Sequence, residues 1–136
     1  MNKQYQHSTN LTGEAWVGFR DNCGLAWLRI LKPGFRHCFL LLRAKNSWLL
    51  FDPLSHYTCL DLVPCGDELL DVLSREGCLL MPVKFDSAPE RRALPWRLFS
   101  CVEAVKRVLG LRAATVLTPW QLFRHLQVRH VKKSSY

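Results

Sequence analysis

The chain has 136 residues, 49% of them hydrophobic and 22% charged, which is the balance of a globular protein and excludes a disordered one. Its length suits a single domain over 1–136, and no repeat or low-complexity linker divides it. We expect a loosely ordered N-terminus over 1–13 and a basic tail over 131–136. A domain of this size buries about two-thirds of the surface exposed by its unfolded chain, enough for a core without disulfide or metal staples.

The net charge of +8 permits attraction to nucleic acid, anionic lipid or an anionic cell-wall polymer without selecting one of them. The basic residues gather late in the chain, but no helix-turn-helix, zinc-finger or aromatic-basic ribonucleoprotein pattern accompanies them, which argues against nucleic acid as a partner. The polar start of the chain lacks the apolar core of a secretory signal, and residues 25–31 are too short and charged to cross a bilayer. We therefore expect synthesis in the cytoplasm and no membrane span.

Six cysteines in a chain without an export signal are expected to stay reduced. Five histidines accompany them, but neither a CxxC nor an HxxxH spacing occurs, so we expect no structural metal and no cofactor. Most of the cysteines are then expected to act as small hydrophobic residues, namely Cys23, Cys38, Cys59, Cys65 and Cys78.

The first half of the chain is rich in β signals. Residues 14–20 alternate aromatic and smaller side chains, which indicates a short strand or an edge segment. Residues 25–31 fit either a strand or a helix, ended by the Lys-Pro-Gly at 32–34. The runs FRHCFLLLR and SWLLFD, separated by Ala-Lys-Asn, predict an antiparallel hairpin that ends at Asp-Pro.

In the second half, predicted helices alternate with short strands. HYTCLDLV contains a possible third strand, GDELLDVLSREG is predicted to form a helix with an acidic first turn, and CLLMPVKF is predicted to form a strand at a sheet edge because of its proline. After the loop DSAPERRALPW, a helix over 100–109 ends at Gly110; ATVL is a further possible strand, and Thr118 caps a last helix. This order predicts an α+β fold.

Cys101 has a context that the other cysteines lack. Ser100 and Glu103 match the S-x-x-E capping box, which makes Ser100 the N-cap and Cys101 the first helical residue. The N-terminus of a helix carries roughly half a positive charge, and this charge favours a thiolate over a thiol. A nucleophilic thiol also needs a base within hydrogen-bond reach.

His37 is the strongest candidate for that base, because it lies in an otherwise apolar strand where an imidazole needs a partner. If the hairpin pairs residues whose numbers sum to 91, Asp52 lies diagonal to His37 on the same face and can orient it; a one-residue slip separates them. Alternation along the strand predicts that Cys38 faces away from the site. His7 is predicted to lie in a loose terminus and His56 in a loop. His125 and His130 are predicted to lie in the basic C-terminal segment.

GFRHCFLLLR, WLLFDPLSH and PWRLFSCVEAVKRVLG occur in the order typical of the circularly permuted branch of papain-fold cysteine hydrolases, the NlpC-like group with its lecithin retinol acyltransferase relatives. The chain resembles this branch over about residues 35–110. The resemblance implies a permuted papain-like α+β fold, with an antiparallel sheet packed against the helix that carries the cysteine. The chain also resembles small peptidase-like reading frames of tailed bacteriophages.

The resemblance implies a cysteine peptidase or amidase in which Cys101 is the nucleophile, His37 the base and Asp52 its orienting group. The Ser-Cys-Val-Glu sequence at 100–103 differs from the Asn-Cys-Glu-His signature of the acyltransferases, which favours hydrolysis of a peptide or of peptidoglycan over lipid acyl transfer. Virion proteins are further candidate partners, and association with a virion is an additional expectation. The Cys101 N–H is a candidate oxyanion donor, with Trp16, Trp96 or a loop amide as the second.

An alternative to the hydrolase remains open. All three polar residues can have structural roles, with Cys101 in the core, His37 hydrogen-bonded within its strand and Asp52 forming a turn before Pro53. The chain would then be a noncatalytic binding or assembly protein of a phage, docking through its basic surface. The tryptophans are expected in the core rather than in a substrate platform, namely Trp27, Trp48, Trp96 and Trp120.

Overall fold

The computed structural model describes residues 11–21, 29–54, 57–84 and 100–133. Within them the chain forms an antiparallel sheet of five strands in the order β4-β3-β2-β1-β5. The strands, in chain order, are β1 (Leu11–Arg20), β2 (His37–Ala44), β3 (Ser47–Pro53), β4 (Thr58–Val63) and β5 (Leu79–Lys84).

Helices cover both faces of this sheet. They are α1 (Glu68–Arg75), α2 (Cys101–Val108) and α3 (Pro119–Lys133). The first helix packs its leucines on one face, and the other two pack on the opposite face. The predicted α+β fold is confirmed at this level, as is the packing of the sheet against the helix that begins at Cys101.

Of the registers left open by the sequence, the hairpin of β2 and β3 has the one that brings Asp52 close to His37. Ala44 pairs with Ser47 and Leu40 pairs with Phe51, so the numbers of paired residues sum to 91. Lys45 and Asn46 form the two-residue turn, and Lys45 takes a positive φ of 56°. Positive φ is typical of the tight turns that match the twist of hairpin strands.

Residues 14–20 were predicted to form either a short strand or an edge segment, and the structure shows that β1 is not at an edge. It pairs with β2 on one side and β5 on the other, so it is an interior strand. It begins at Leu11, inside the segment 1–13 that was expected to be loosely ordered, and α3 continues to Lys133, inside the expected tail over 131–136. The predicted edge position of β5 is confirmed, because β5 pairs with β1 alone among the described strands.

Two apolar cores lie on opposite faces of the sheet. The one beneath α1 combines Phe39, Leu41 and Trp48 with the half-buried leucines of that helix. The larger core, beneath α2 and α3, consists of Ala15, Val17, Phe19, Cys38, Leu40, Leu42, Val102, Val105, Leu109, Val116, Leu122 and Leu126. Each face therefore follows the alternation of buried side chains along β1 and β2.

The last two helices begin at the predicted caps. Ser100 Oγ accepts a hydrogen bond from the Glu103 N–H at 3.2 Å. Thr118 Oγ1 accepts one from the Gln121 N–H at 3.3 Å, and the Gln121 side chain accepts one from the Thr118 N–H at 3.0 Å, completing a capping box. Gly110 adopts a positive φ of 64° just after α2, as predicted for the residue that ends the helix.

The predicted strand at ATVL (residues 114–117) does not form, and a buried lysine explains why. Lys106 is only 3% exposed, and its ammonium donates to the carbonyls of Ala113 and Val116, each at 2.9 Å. It also pairs with Glu103 at 2.8 Å. The carbonyl of Val116 in this segment and that of Ala113 just before it are thus directed at a side chain rather than at a neighbouring strand. The position of Lys106 in the last turn of α2 predicted only an interaction with the helix dipole.

An aromatic cluster supports the segment that leads into β2. Phe35 lies 4.8 Å from Trp120 and 4.9 Å from Phe123, measured between ring centroids, and Phe19 lies 5.5 Å from Phe35. Lys32 places its ammonium 3.2 Å from the centroid of the Trp120 ring. These contacts join the residues just before His37 to α3. Trp120 and Trp48 have the packing roles predicted for them.

Several predictions fall on segments outside the described residues. They include part of the ambiguous stretch 25–31, the loop over 86–96, and the side chains of His7, Cys23, Trp27, His56 and Trp96. Among the described helices, none combines the length and apolar composition needed to cross a bilayer.

We predict that Lys106→Met lowers the free energy of unfolding by about 3 kcal/mol, because it leaves the half-buried Glu103 carboxylate and two carbonyls without their donor. Urea unfolding followed by circular dichroism measures this change. The control is Arg75→Met, which removes an exposed cation from the last turn of α1 and should change stability by less than about 0.5 kcal/mol. Equal effects of the two substitutions would contradict the proposed role of Lys106.

Candidate active site

Two of the predicted site residues, His37 and Asp52, lie together at one end of the hairpin. His37 is the first residue of β2 and Asp52 is the penultimate residue of β3. Continuing the observed register sets Asp52 opposite Phe39, two residues from His37 on the same face. His37 Nε2 lies 2.5 Å from Asp52 Oδ1, and the two residues are only 3% and 6% exposed. The predicted contact between them is therefore present.

Arg20 completes a chain of polar contacts across three strands. It is the last residue of β1 and pairs with His37 in the sheet. Its guanidinium Nη2 donates to Asp52 Oδ2 at 2.5 Å, so each carboxylate oxygen has its own partner. Arg20 was not among the predicted site residues. Residues 14–20 were predicted to form a strand, and this strand ends in an arginine. The arginine becomes a candidate for the site only when β1 is known to lie beside β2.

The Arg20 side chain packs on the ring of Phe39, and this ring lies against the backbone of β1. The Phe39 ring lies across Gly18 of β1, where a Cβ atom would come within 2.1 Å of the ring. The Arg20 guanidinium carbon in turn lies 5.2 Å from the centroid of this ring, a cation–π distance. Only glycine at position 18 leaves room for the ring.

Cys101 lies on the face of the sheet that α2 and α3 cover, opposite the face that contains Phe39. It is the first residue of α2, directly after the Ser100 N-cap, and it is half-buried beside the larger core. Its sulfur hydrogen-bonds with the side chains of Cys38 and His37 and with the backbone N–H of Cys38. Since His37 Nε2 contacts Asp52, Nδ1 is the ring nitrogen left for the cysteine. The structure thus brings together all three predicted site residues.

The electrostatic environment favours a charged cysteine. The hydrogen bond from Cys38, together with the hydrogen bond and positive charge of His37, lowers the pKa of Cys101 from 9.0 to about 5, although burial opposes this. For His37, burial acts to lower the pKa, but the hydrogen bonds and negative charges of Asp52 and Cys101 raise it from 6.5 to about 9. Both shifts favour a thiolate–imidazolium pair at neutral pH.

Asp52 remains ionised in this arrangement. Burial acts to raise its pKa, but the hydrogen bond and positive charge of His37, followed by the charge and hydrogen bond of Arg20, hold the pKa below its usual 3.8. With both ring nitrogens of His37 protonated, Nε2–H donates to Asp52 and Nδ1–H faces the sulfur. Asp52 therefore fixes the direction in which the ring presents its second proton.

The prediction that Cys38 cannot share the site is wrong. Alternation does place Cys38 in the core beneath α2, on the face opposite Phe39. Cys101, however, begins α2, which covers this same face of the sheet, so Cys38 is its direct neighbour. His37, the first residue of β2, has hydrogen bonds with both Asp52 and Cys101.

Other candidates take different positions. Trp16 donates its indole N–H to Glu14 and packs with the core beneath α1. It pairs with Leu41, four residues along β2 from His37 and roughly 13 Å away at strand spacing, so it is not the second oxyanion donor. His130 contacts the carbonyl of Pro82 and is exposed, as predicted for the C-terminal segment, whereas His125 is half-buried.

No group of three or more histidine, cysteine, aspartate or glutamate side chains is arranged to hold a metal ion in the described part of the chain. The cysteines described there are free thiols, namely Cys38, Cys59, Cys65, Cys78 and Cys101.

We predict that alkylation of Cys101 by iodoacetamide follows a midpoint near pH 5, because the thiolate is populated above its lowered pKa. Asp52→Asn should move this midpoint to higher pH, since loss of the carboxylate weakens the imidazolium that stabilises the thiolate. Peptide mapping of alkylated protein across pH 4–10 measures both midpoints.

The control for this experiment is Asp67→Asn, which removes an exposed carboxylate that pairs with Arg43 away from the site. It should leave the Cys101 midpoint unchanged. A wild-type midpoint near 9, or equal shifts in the two variants, would contradict the ion pair.

Comparison of the chain with protein-family models, curated proteins and solved structures found no match in any of the three.

Proposed function

We propose that this protein is a cysteine hydrolase, a peptidase or amidase that works through an acyl-enzyme on Cys101. The observation that carries the proposal is the buried chain of contacts from Arg20 through Asp52 and His37 to a half-buried cysteine at a helix N-terminus. A thiolate, a base within hydrogen-bond reach and a group orienting that base are the parts that nucleophilic catalysis at a thiol requires. The permuted papain-like fold is part of this proposal.

In the proposed first step the Cys101 thiolate attacks the carbonyl carbon of a peptide or amide. The tetrahedral intermediate collapses as the His37 imidazolium gives its Nδ1 proton to the leaving amine, and a thioester on Cys101 remains. The Cys101 N–H belongs to the first turn of α2, whose N–H groups have no intrahelical acceptors, and it can donate to the oxyanion.

In the second step neutral His37 accepts a proton from water, whose oxygen attacks the thioester carbonyl. Collapse of this intermediate releases the carboxylic acid and restores the ion pair. Asp52 holds the same ring orientation in both steps, because its contact is with Nε2 and the reacting proton is on Nδ1. Arg20 keeps Asp52 ionised and in place throughout.

The proposed substrate class is a peptide bond in peptidoglycan or in a virion protein. The net charge of +8 is compatible with an anionic polymer such as a cell wall. On the described surface, α3 contributes exposed Arg124 and Arg129 to this charge.

The test of the reaction type uses p-nitrophenyl acetate, an activated ester that acylates nucleophilic thiols independently of the natural substrate. We expect a burst of p-nitrophenol and an acetyl group on Cys101 in the mass spectrum. Cys101→Ala should abolish the adduct, and His37→Gln should slow acylation by roughly a thousandfold or more.

Matched controls are His130→Gln and Cys78→Ala, which change the same residue types outside the site and should leave the burst unchanged. Acetylation spread evenly over several cysteines, or a burst that persists in Cys101→Ala, would indicate a noncatalytic protein. Incubation with purified peptidoglycan or with unfolded protein substrates then distinguishes the two substrate classes by the new amino termini released.

A further inference from the structure

The environment of Cys101 contains a second sulfur that the proposed hydrolysis does not use. Cys38 is fully buried in β2, next in sequence to His37. Both its thiol and its backbone N–H hydrogen-bond with the sulfur of Cys101. Cys38 belongs to the core beneath α2 and Cys101 packs against the same core, so the two side chains are in direct contact.

The two sulfurs are chemically unequal. Cys101 begins a helix and faces the imidazolium, so it bears the negative charge of the pair. Burial raises the pKa of Cys38, and the neighbouring Cys101 raises it further, so Cys38 remains a protonated thiol that donates to its partner. A reactive thiolate beside a protonated cysteine is the arrangement in which one sulfur is oxidised first and the other resolves it.

We propose that Cys101 and Cys38 are a redox-modification site, in which oxidation of Cys101 by a peroxide is resolved by Cys38 as an intramolecular disulfide. This inference goes beyond the hydrolase proposal and does not depend on it, since it requires only the contact between the two sulfurs and the position of Cys101 at a helix N-terminus.

The chemistry proceeds in two balanced steps. The Cys101 thiolate attacks one oxygen of hydrogen peroxide, an S–O bond forms, the O–O bond breaks, and the released hydroxide takes up a proton to become water. The sulfur is then a sulfenic acid, oxidised by two electrons, while the peroxide is reduced. The Cys38 sulfur next attacks the sulfenic sulfur, an S–S bond forms, the S–O bond breaks, and the thiol proton of Cys38 leaves with hydroxide as water.

Formation of this disulfide would have two consequences. It would remove the thiolate from the site, so the oxidised protein could not form an acyl-enzyme. It would also protect Cys101, because a sulfenic acid without a resolving thiol proceeds under excess peroxide to sulfinic acid, which dithiothreitol does not reduce.

The experiment treats the full chain with hydrogen peroxide, blocks the remaining thiols with iodoacetamide, and maps the peptides by mass spectrometry without reduction. We expect a cross-linked peptide pair that contains Cys38 and Cys101 and is lighter by two hydrogen atoms than the sum of its parts. Dithiothreitol should restore nearly all of the free Cys101.

Cys38→Ala is the informative variant, with Cys78→Ala as its matched control. Cys78 is also buried, but it packs in the core beneath α1, on the other face of the sheet. Peroxide should convert Cys101 of Cys38→Ala to the sulfinic acid, with loss of nearly all dithiothreitol-recoverable thiol, whereas Cys78→Ala should form the disulfide like the wild type.

The proposal is overturned if oxidised wild-type protein retains a sulfenic or sulfinic acid at Cys101 without a bond to Cys38, or if recovery is the same in Cys38→Ala and the wild type. Should Cys38→Ala fail to fold, the wild-type peptide map decides the question alone, and Cys38→Ser serves as a second variant. Mapping measures no hydrolysis. An inactive protein that still forms the disulfide would therefore contradict only the hydrolase.

Discussion

The arrangement of the site depends on one buried charge, the carboxylate of Asp52. A carboxylate that is 6% exposed is costly unless it is paired and hydrogen-bonded, and both of its oxygens are in fact paired. Arg20 and His37 supply these contacts from the two strands on the same side of β3. Satisfying one anion therefore fixes the ends of three strands, and it fixes the ring that contacts Cys101.

Much of this arrangement was predictable because its signals are local. The turn at Lys45 and Asn46 sets the hairpin register, and the register alone places Asp52 near His37. The cap at Ser100 likewise determines that Cys101 begins a helix, since a serine oxygen three residues before a free N–H is a local contact. Such features follow from a few neighbouring residues and need no knowledge of the tertiary fold.

The features that the sequence did not reveal depend on which elements are neighbours in space. Arg20 reaches Asp52 because β1 lies beside β2, and nothing in residues 14–20 specifies that order. Cys38 contacts Cys101 because α2 covers its face of the sheet, which periodicity within the strand cannot show. Lys106 resembles a surface residue in the helix pattern, yet its partners are carbonyls of a later segment.

Because these groups are far apart along the chain, the protonation state of the Cys101 thiol changes during folding. Arg20 and Asp52 are 32 positions apart, and Cys101 comes from a helix that follows the whole sheet in sequence. Contacts between distant segments require loop closure and form only when the sheet is largely assembled. Before that point Cys101 is an ordinary, mostly protonated thiol. The negative charge of Cys101 therefore arises late in assembly, once the sheet that carries His37 and Asp52 has formed.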